Sequence, residues 1–141
     1  MQQITSKDNF MRKKYYICTT AITFTYNAED SYVGVFAYVG ASGTVQNLNV
    51  TANITKGSYQ VAGIAGKNEG TITNCTVSGT VKSTISTSNA NNVGGIVGYN
   101  FGTVIKCTNN ATVSGKSYAG GIVGYNNRDN NSQAFVINCP Q

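Results

Sequence analysis

Short apolar runs alternate with threonine and serine along most of the chain, and glycine or asparagine interrupts them every few residues. In Thr71-Ile72-Thr73 and Cys75-Thr76-Val77 the side chains alternate with a period of two, the signature of a strand with one buried face. Ile72, Cys75, Val77 and Val81 are expected to point inward, and Thr71, Thr73, Thr76 and Thr80 toward water. Each unit reads as three short strands. The first is glycine-rich, as in Val93-Gly94-Gly95-Ile96-Val97-Gly98. The segment Tyr99-Asn100-Phe101-Gly102 follows as a turn, with Asn and Gly expected to supply positive φ. A Thr-Ile-Thr strand comes next, and a bend at Asn74 leads into the third.

The same pattern recurs. VAGIAGKNEGTITNC at 61–75 matches VGGIVGYNFGTVIKC at 93–107 without a gap. AGGIVGYN at 119–126 restarts it, and Phe135-Val136-Ile137-Asn138-Cys139 completes it after an insertion. A divergent copy, VGVFAYVGASGTVQNL, lies at 33–48. Cys75, Cys107 and Cys139 are evenly spaced, and length changes fall in the polar connections. Constant spacing in strands with variable turns indicates a coiled chain whose units bury their apolar edges against one another. The expected fold is all-β, a right-handed parallel β-solenoid of about four short-strand coils. A lead-in strand or cap over 1–30, partly disordered, precedes repeats at about 31–58, 59–91, 92–117 and 118–141. Stacking then forms columns: Ile64, Ile96 and Ile122; Val45, Ile72, Val104 and Val136; Leu48, Cys75, Cys107 and Cys139. Asn47, Asn74 and Asn138 would form an amide ladder at the bend, broken by Lys106.

GGIVGYNFGTVIKC and its copies resemble the GLUG motif, and SYVGVFAYVGASGTVQNLNV resembles the copy that often opens such arrays. The likeness covers about 31–141 and rests on the glycine spacing, the Tyr-Asn pair and the final Asn-Cys. It implies a β-solenoid stalk or adhesive surface of a secreted or wall-anchored protein, such as adhesins and immunoglobulin-A-specific metallopeptidases, where the repeats lie outside the protease domain. It implies no catalytic residue.

Composition supports that reading. Charged residues make up 11% and proline occurs once, which suits short strands joined by Gly and Asn turns. The formal charge is +5, but beyond Arg12-Lys13-Lys14 the basic residues are scattered singly rather than gathered as in nucleic-acid binders. No nucleic-acid partner and no membrane insertion are expected. Met11-Arg12-Lys13-Lys14 before YYICTTAITF has the layout of a leader, yet the alternation Tyr16, Cys18, Thr20, Ile22, Phe24 predicts a strand entering the first coil.

The chemistry-bearing residues are few. Histidine is absent, which removes imidazole bases and ligands from this chain. Cys18, Cys75, Cys107 and Cys139 lack the close pairing of structural zinc sites. The last three fit a buried row of small side chains, with a disulfide between adjacent coils as the alternative. Glu69 and Asp129 are the carboxylates that come nearest to a glycosidase-like pair, but both fall in polar turns. No metal, cofactor or catalytic residue is expected. The candidate ligand-binding residues are Tyr99, Asn100, Tyr125 and Asn126, whose rings and amides would meet sugar rings or a protein partner. The expected function is a non-catalytic structural or adhesive module, secreted or at the cell surface, contacting glycans or host protein. The alternative is an accessory, substrate-positioning region of a larger secreted peptidase or other surface enzyme. End-to-end self-association is also expected, since a solenoid end exposes unpaired backbone groups.

Overall fold

A computed structural model describes residues 10–11, 20–28, 30–84, 91–127 and 134–140. The chain enters through β1 (Phe10–Met11) and β2 (Thr20–Tyr26). One complete turn follows as β3 (Tyr32–Val33), β4 (Phe36–Val39), β5 (Thr44–Gln46) and β6 (Leu48–Ile54). The next is β7 (Gln60–Ala62), β8 (Ala65–Asn68), β9 (Thr71–Thr73) and β10 (Thr76–Lys82). A third comprises β11 (Asn92–Gly94), β12 (Val97–Asn100), β13 (Thr103–Ile105), β14 (Thr108–Asn109) and β15 (Thr112–Ser114). The last holds β16 (Tyr118–Gly120), β17 (Val123–Asn126) and β18 (Phe135–Ile137).

Every pairing is parallel and joins one turn to the next, which gives a β-solenoid with four faces. The first face orders β3-β7-β11-β16 and the second β1-β4-β8-β12-β17. The third orders β5-β9-β13-β18, and the fourth β2-β6-β10 followed by β14 and β15. A complete unit therefore crosses four faces rather than the three strands expected, with the fourth face of the third turn split into β14 and β15. The expected strand over 93–98 is two, because the chain turns a corner at Gly95 and Ile96. Backbone bonds continue through that corner, from Gly63 N to Gly95 O (2.9 Å) and from Gly95 N to Gly121 O (3.1 Å), so it stacks as regularly as a strand.

The columns stand as the spacing predicts. Val45, Ile72, Val104 and Val136 are in register, and the first three are fully buried. Ile64, Ile96 and Ile122 line the corner, and Leu48, Cys75 and Cys107 the start of the fourth face, all at 4% exposure or less. The alternation in β6 is complete, with Leu48, Val50, Ala52 and Ile54 inward and the residues between them outward. No turn could bury these side chains alone. Each supplies the floor of the next. The lead-in alternation also holds where it is described, since Ile22, Phe24 and Tyr26 pack against the core. Tyr16 and Cys18 lie outside the described residues.

Positive φ falls at the bend before the fourth face, at Asn47 (59°), Asn74 (53°), Lys106 (55°) and Asn138 (51°). It does not fall at Asn100 or Gly102, as the turn reading expected. Asn74 Nδ2 donates to Asn47 Oδ1 at 2.7 Å, so the outer amide ladder exists on that step. Asparagine tolerates the left-handed conformation, whereas lysine is held there at a cost of roughly 1 kcal/mol. Lys106→Asn is therefore expected to raise stability by about 1 kcal/mol, by relieving the backbone and joining Asn74 to Asn138. Urea unfolding should show a higher midpoint at unchanged slope.

Candidate functional site

The second face carries the most distinctive outward chemistry. Its strands align Tyr38, Lys67, Tyr99 and Tyr125 in one column, one residue per turn. The Tyr99 and Tyr125 rings meet edge to face with centroids 5.2 Å apart. Phe101, just past the end of β12, packs on Tyr99 at 4.4 Å. Tyr118, from the neighbouring first face, reaches Tyr125 at 5.4 Å. Lys67 breaks the row of rings without breaking its continuity. Its ammonium sits 5.3 Å from the Tyr38 ring centroid and 4.8 Å from that of Phe101, within reach of the attraction between a cation and an aromatic face.

Glu69 completes the group. It pairs with Lys67 at 3.4 Å and accepts a hydrogen bond from the Tyr38 hydroxyl. The carboxylate thereby orients both neighbours at the entry end of the column. Exposure rises along the stack. Tyr99 and Phe101 are half-buried, while Tyr125 is 38% and Tyr118 48% exposed. The result is a one-sided strip of ring edges and faces with a cation set into it. Such a surface can pack against a flat, partly apolar partner without needing it to be charged.

Asn100 is not part of that surface. It is fully buried, and its amide belongs to an inner ladder that turn reasoning did not foresee. Asn68 Nδ2 donates to Asn100 Oδ1 at 2.9 Å, and Asn100 Nδ2 donates to Asn126 Oδ1 at 2.8 Å. Each amide also clamps its own corner. Asn100 Oδ1 accepts from Gly102 N (3.2 Å) and Asn100 Nδ2 donates to Gly102 O (3.1 Å). Asn68 does the same with Gly70. Asn126, at the outer end, is exposed, yet its Nδ2 donates to Ala134 O at 3.2 Å. The asparagine that accompanies the tyrosine holds the corner.

Tyr38, Lys67, Phe101 and Tyr118 were not among the expected site residues. Tyr38 was readable, since it follows Phe36 by the same two steps that separate Tyr99 from Val97. Tyr118 was not, because its contact with Tyr125 crosses from one face to the next. Of the two carboxylates considered as a pair, Glu69 is engaged as described and Asp129 lies outside the described residues.

The three late cysteines form the expected row of free thiols. Each reaches back one turn: Cys75 Sγ toward Val45 O (3.9 Å), Cys107 Sγ toward Ile72 O (3.6 Å) and Cys139 Sγ toward Val104 O (3.7 Å). Contact with the Cys75 thiol, followed by burial, pushes the Cys107 thiol well above its ordinary value. Cys139, less enclosed, is raised chiefly by burial. The Cys75 thiol is lowered, chiefly by its hydrogen bond with Cys107 and against the effect of burial, but it is enclosed at 1% exposure, so this row contributes packing.

Stacked turns with short strands, a buried amide ladder and a row of cysteines define a parallel β-solenoid repeat protein. Its two central turns match the family model described as the GLUG motif, over residues 57–82 and 89–114. The chain thus carries two tandem copies of the GLUG motif, each spanning one complete turn from the first face to the fourth. No curated protein and no solved structure matches the chain.

Proposed function

We propose that the chain is a non-catalytic repeat module of a surface or secreted protein, and that the aromatic column of its second face is the contact surface. The two tandem GLUG motifs support the first part. The second rests on the continuous group Tyr38, Lys67, Phe101, Tyr99, Tyr125 and Tyr118. Its rings suit the apolar faces of sugar rings. A host-surface protein with a flat apolar patch would use the same residues.

A glycan array and a pull-down from host-surface extract, both made with the purified chain, test the proposal. Tyr125→Ala removes the most exposed ring of the column itself and should weaken any ligand found by roughly threefold to tenfold. Thermal stability should stay close to wild type, because Tyr125 lies on the last turn. Binding that ignores Tyr125→Ala would move the contact surface elsewhere. No binding at high concentration would leave the column as a cover for the corner it overlies.

A further inference from the structure

The outward side of the fourth face is a regular array of small uncharged side chains. Its central column runs Thr23, Thr51, Ser78 and Asn110, one residue per turn. Two positions further along each strand stand Thr25, Asn53, Thr80 and Thr112. Two positions earlier stand Ala21, Asn49, Thr76 and Thr108. Eight of these twelve residues carry a hydroxyl, and none is charged or aromatic. The charges on this side of the solenoid frame the array instead, with Lys106 at the bend before it and Lys82 past its far edge.

The array is held in place from behind. Leu48, Val50, Ala52 and Ile54 are buried under β6, which fixes Asn49, Thr51 and Asn53 outward. The register passes without a slip from β2 through β6 and β10 to β14 and β15. Threonine is branched at Cβ, so each hydroxyl stands in a narrow range of orientations. Thr51 Oγ1 and Ser78 Oγ approach at 3.5 Å. No other side chain of the array hydrogen-bonds to a described residue. Their bonding capacity is turned entirely to water.

We propose that this face binds ice. Outward residues repeat about every 6.6 Å along a strand and about every 4.8 Å from turn to turn. Both spacings are close to oxygen repeats on a prism face of the ice lattice. Hydroxyls fixed at those intervals, with methyl groups between them, hold first-layer water where the crystal can continue it. The absence of charge matters, because an ammonium or carboxylate would keep a hydration shell that fits no ice plane. The aromatic column lies two faces away along the turn, so this activity stands or falls independently of any ligand bound there.

Thermal hysteresis and ice recrystallisation, measured on the purified full chain, test this. Wild type should separate the freezing point from the melting point and keep ice grains small. Thr51→Lys and Thr80→Lys each place a strongly hydrated ammonium inside the array and should each abolish both effects. Gln46→Lys adds the same charge to the outward side of the third face and should leave both at the wild-type level. Circular dichroism checks that all three variants keep the solenoid. A wild-type chain that neither separates the two temperatures nor restrains grain growth overturns the proposal. Activity that survives both threonine variants, or that falls as far in Gln46→Lys, overturns it too.

Discussion

Replacing Asn100 by leucine is expected to destabilise the protein by about 3–5 kcal/mol, although the two side chains are nearly the same size. Asn100 is fully buried and serves the amide of the turn before it, the amide of the turn after it, and both backbone groups of Gly102. Leucine would leave the Gly102 N–H and an Asn68 amide hydrogen buried without their acceptor, at about 1–3 kcal/mol for each orphan. The stacked amides polarise one another, so loss of the central rung weakens those on either side. Urea unfolding should show the loss as a lower midpoint, and thermal unfolding as a fall of roughly 10 °C. Asn126→Leu is the control. Asn126 terminates the ladder at an exposed position, so about 1 kcal/mol is expected there.

Gly102→Ala should cost about 2–4 kcal/mol for a different reason. A methyl group at Gly102 would stand 2.2 Å from the Gly70 carbonyl oxygen and 2.7 Å from the Glu69 carbonyl carbon. Both are backbone atoms of the preceding turn, fixed by the Asn68 clamp and by the bond from Thr103 N to Gly70 O. They cannot move aside without separating the turns. The same measurement on Thr103→Ala, whose side chain points away from the core, should change stability by no more than about 0.5 kcal/mol.

These two residues also show where the sequence was legible and where it was not. Equal spacing of Ile72, Val104 and Val136, and of Cys75, Cys107 and Cys139, announced the register of the third and fourth faces. Nothing but in-register stacking brings those residues together. The bend was legible at Asn74 because asparagine has a local reason to adopt positive φ, and at Lys106, which has none, only through the repeat. The division of the first expected strand was hidden because Val93-Gly94-Gly95-Ile96-Val97-Gly98 looks like one run, whereas the chain turns a corner at Gly95 and Ile96. Asn100 was misread because asparagine near glycine ordinarily signals an exposed turn. Its burial depends on Asn68 and Asn126 lying directly below and above it, which is a property of the stack. Within the contact surface, the Tyr99–Tyr125 pair followed from the repeat. Lys67 in the same column is a departure from the repeat, and only the rings around it show that it belongs there.

The core columns, the amide ladder and the aromatic column all depend on successive turns lying in parallel register. Nuclear Overhauser contacts between backbone protons on the third face test this most directly. Val45 should show contacts to Ile72, and Ile72 to Val104, in the pattern of adjacent parallel strands. Contacts joining β9 to β10 as an antiparallel hairpin, with none between Ile72 and Val104, would contradict it.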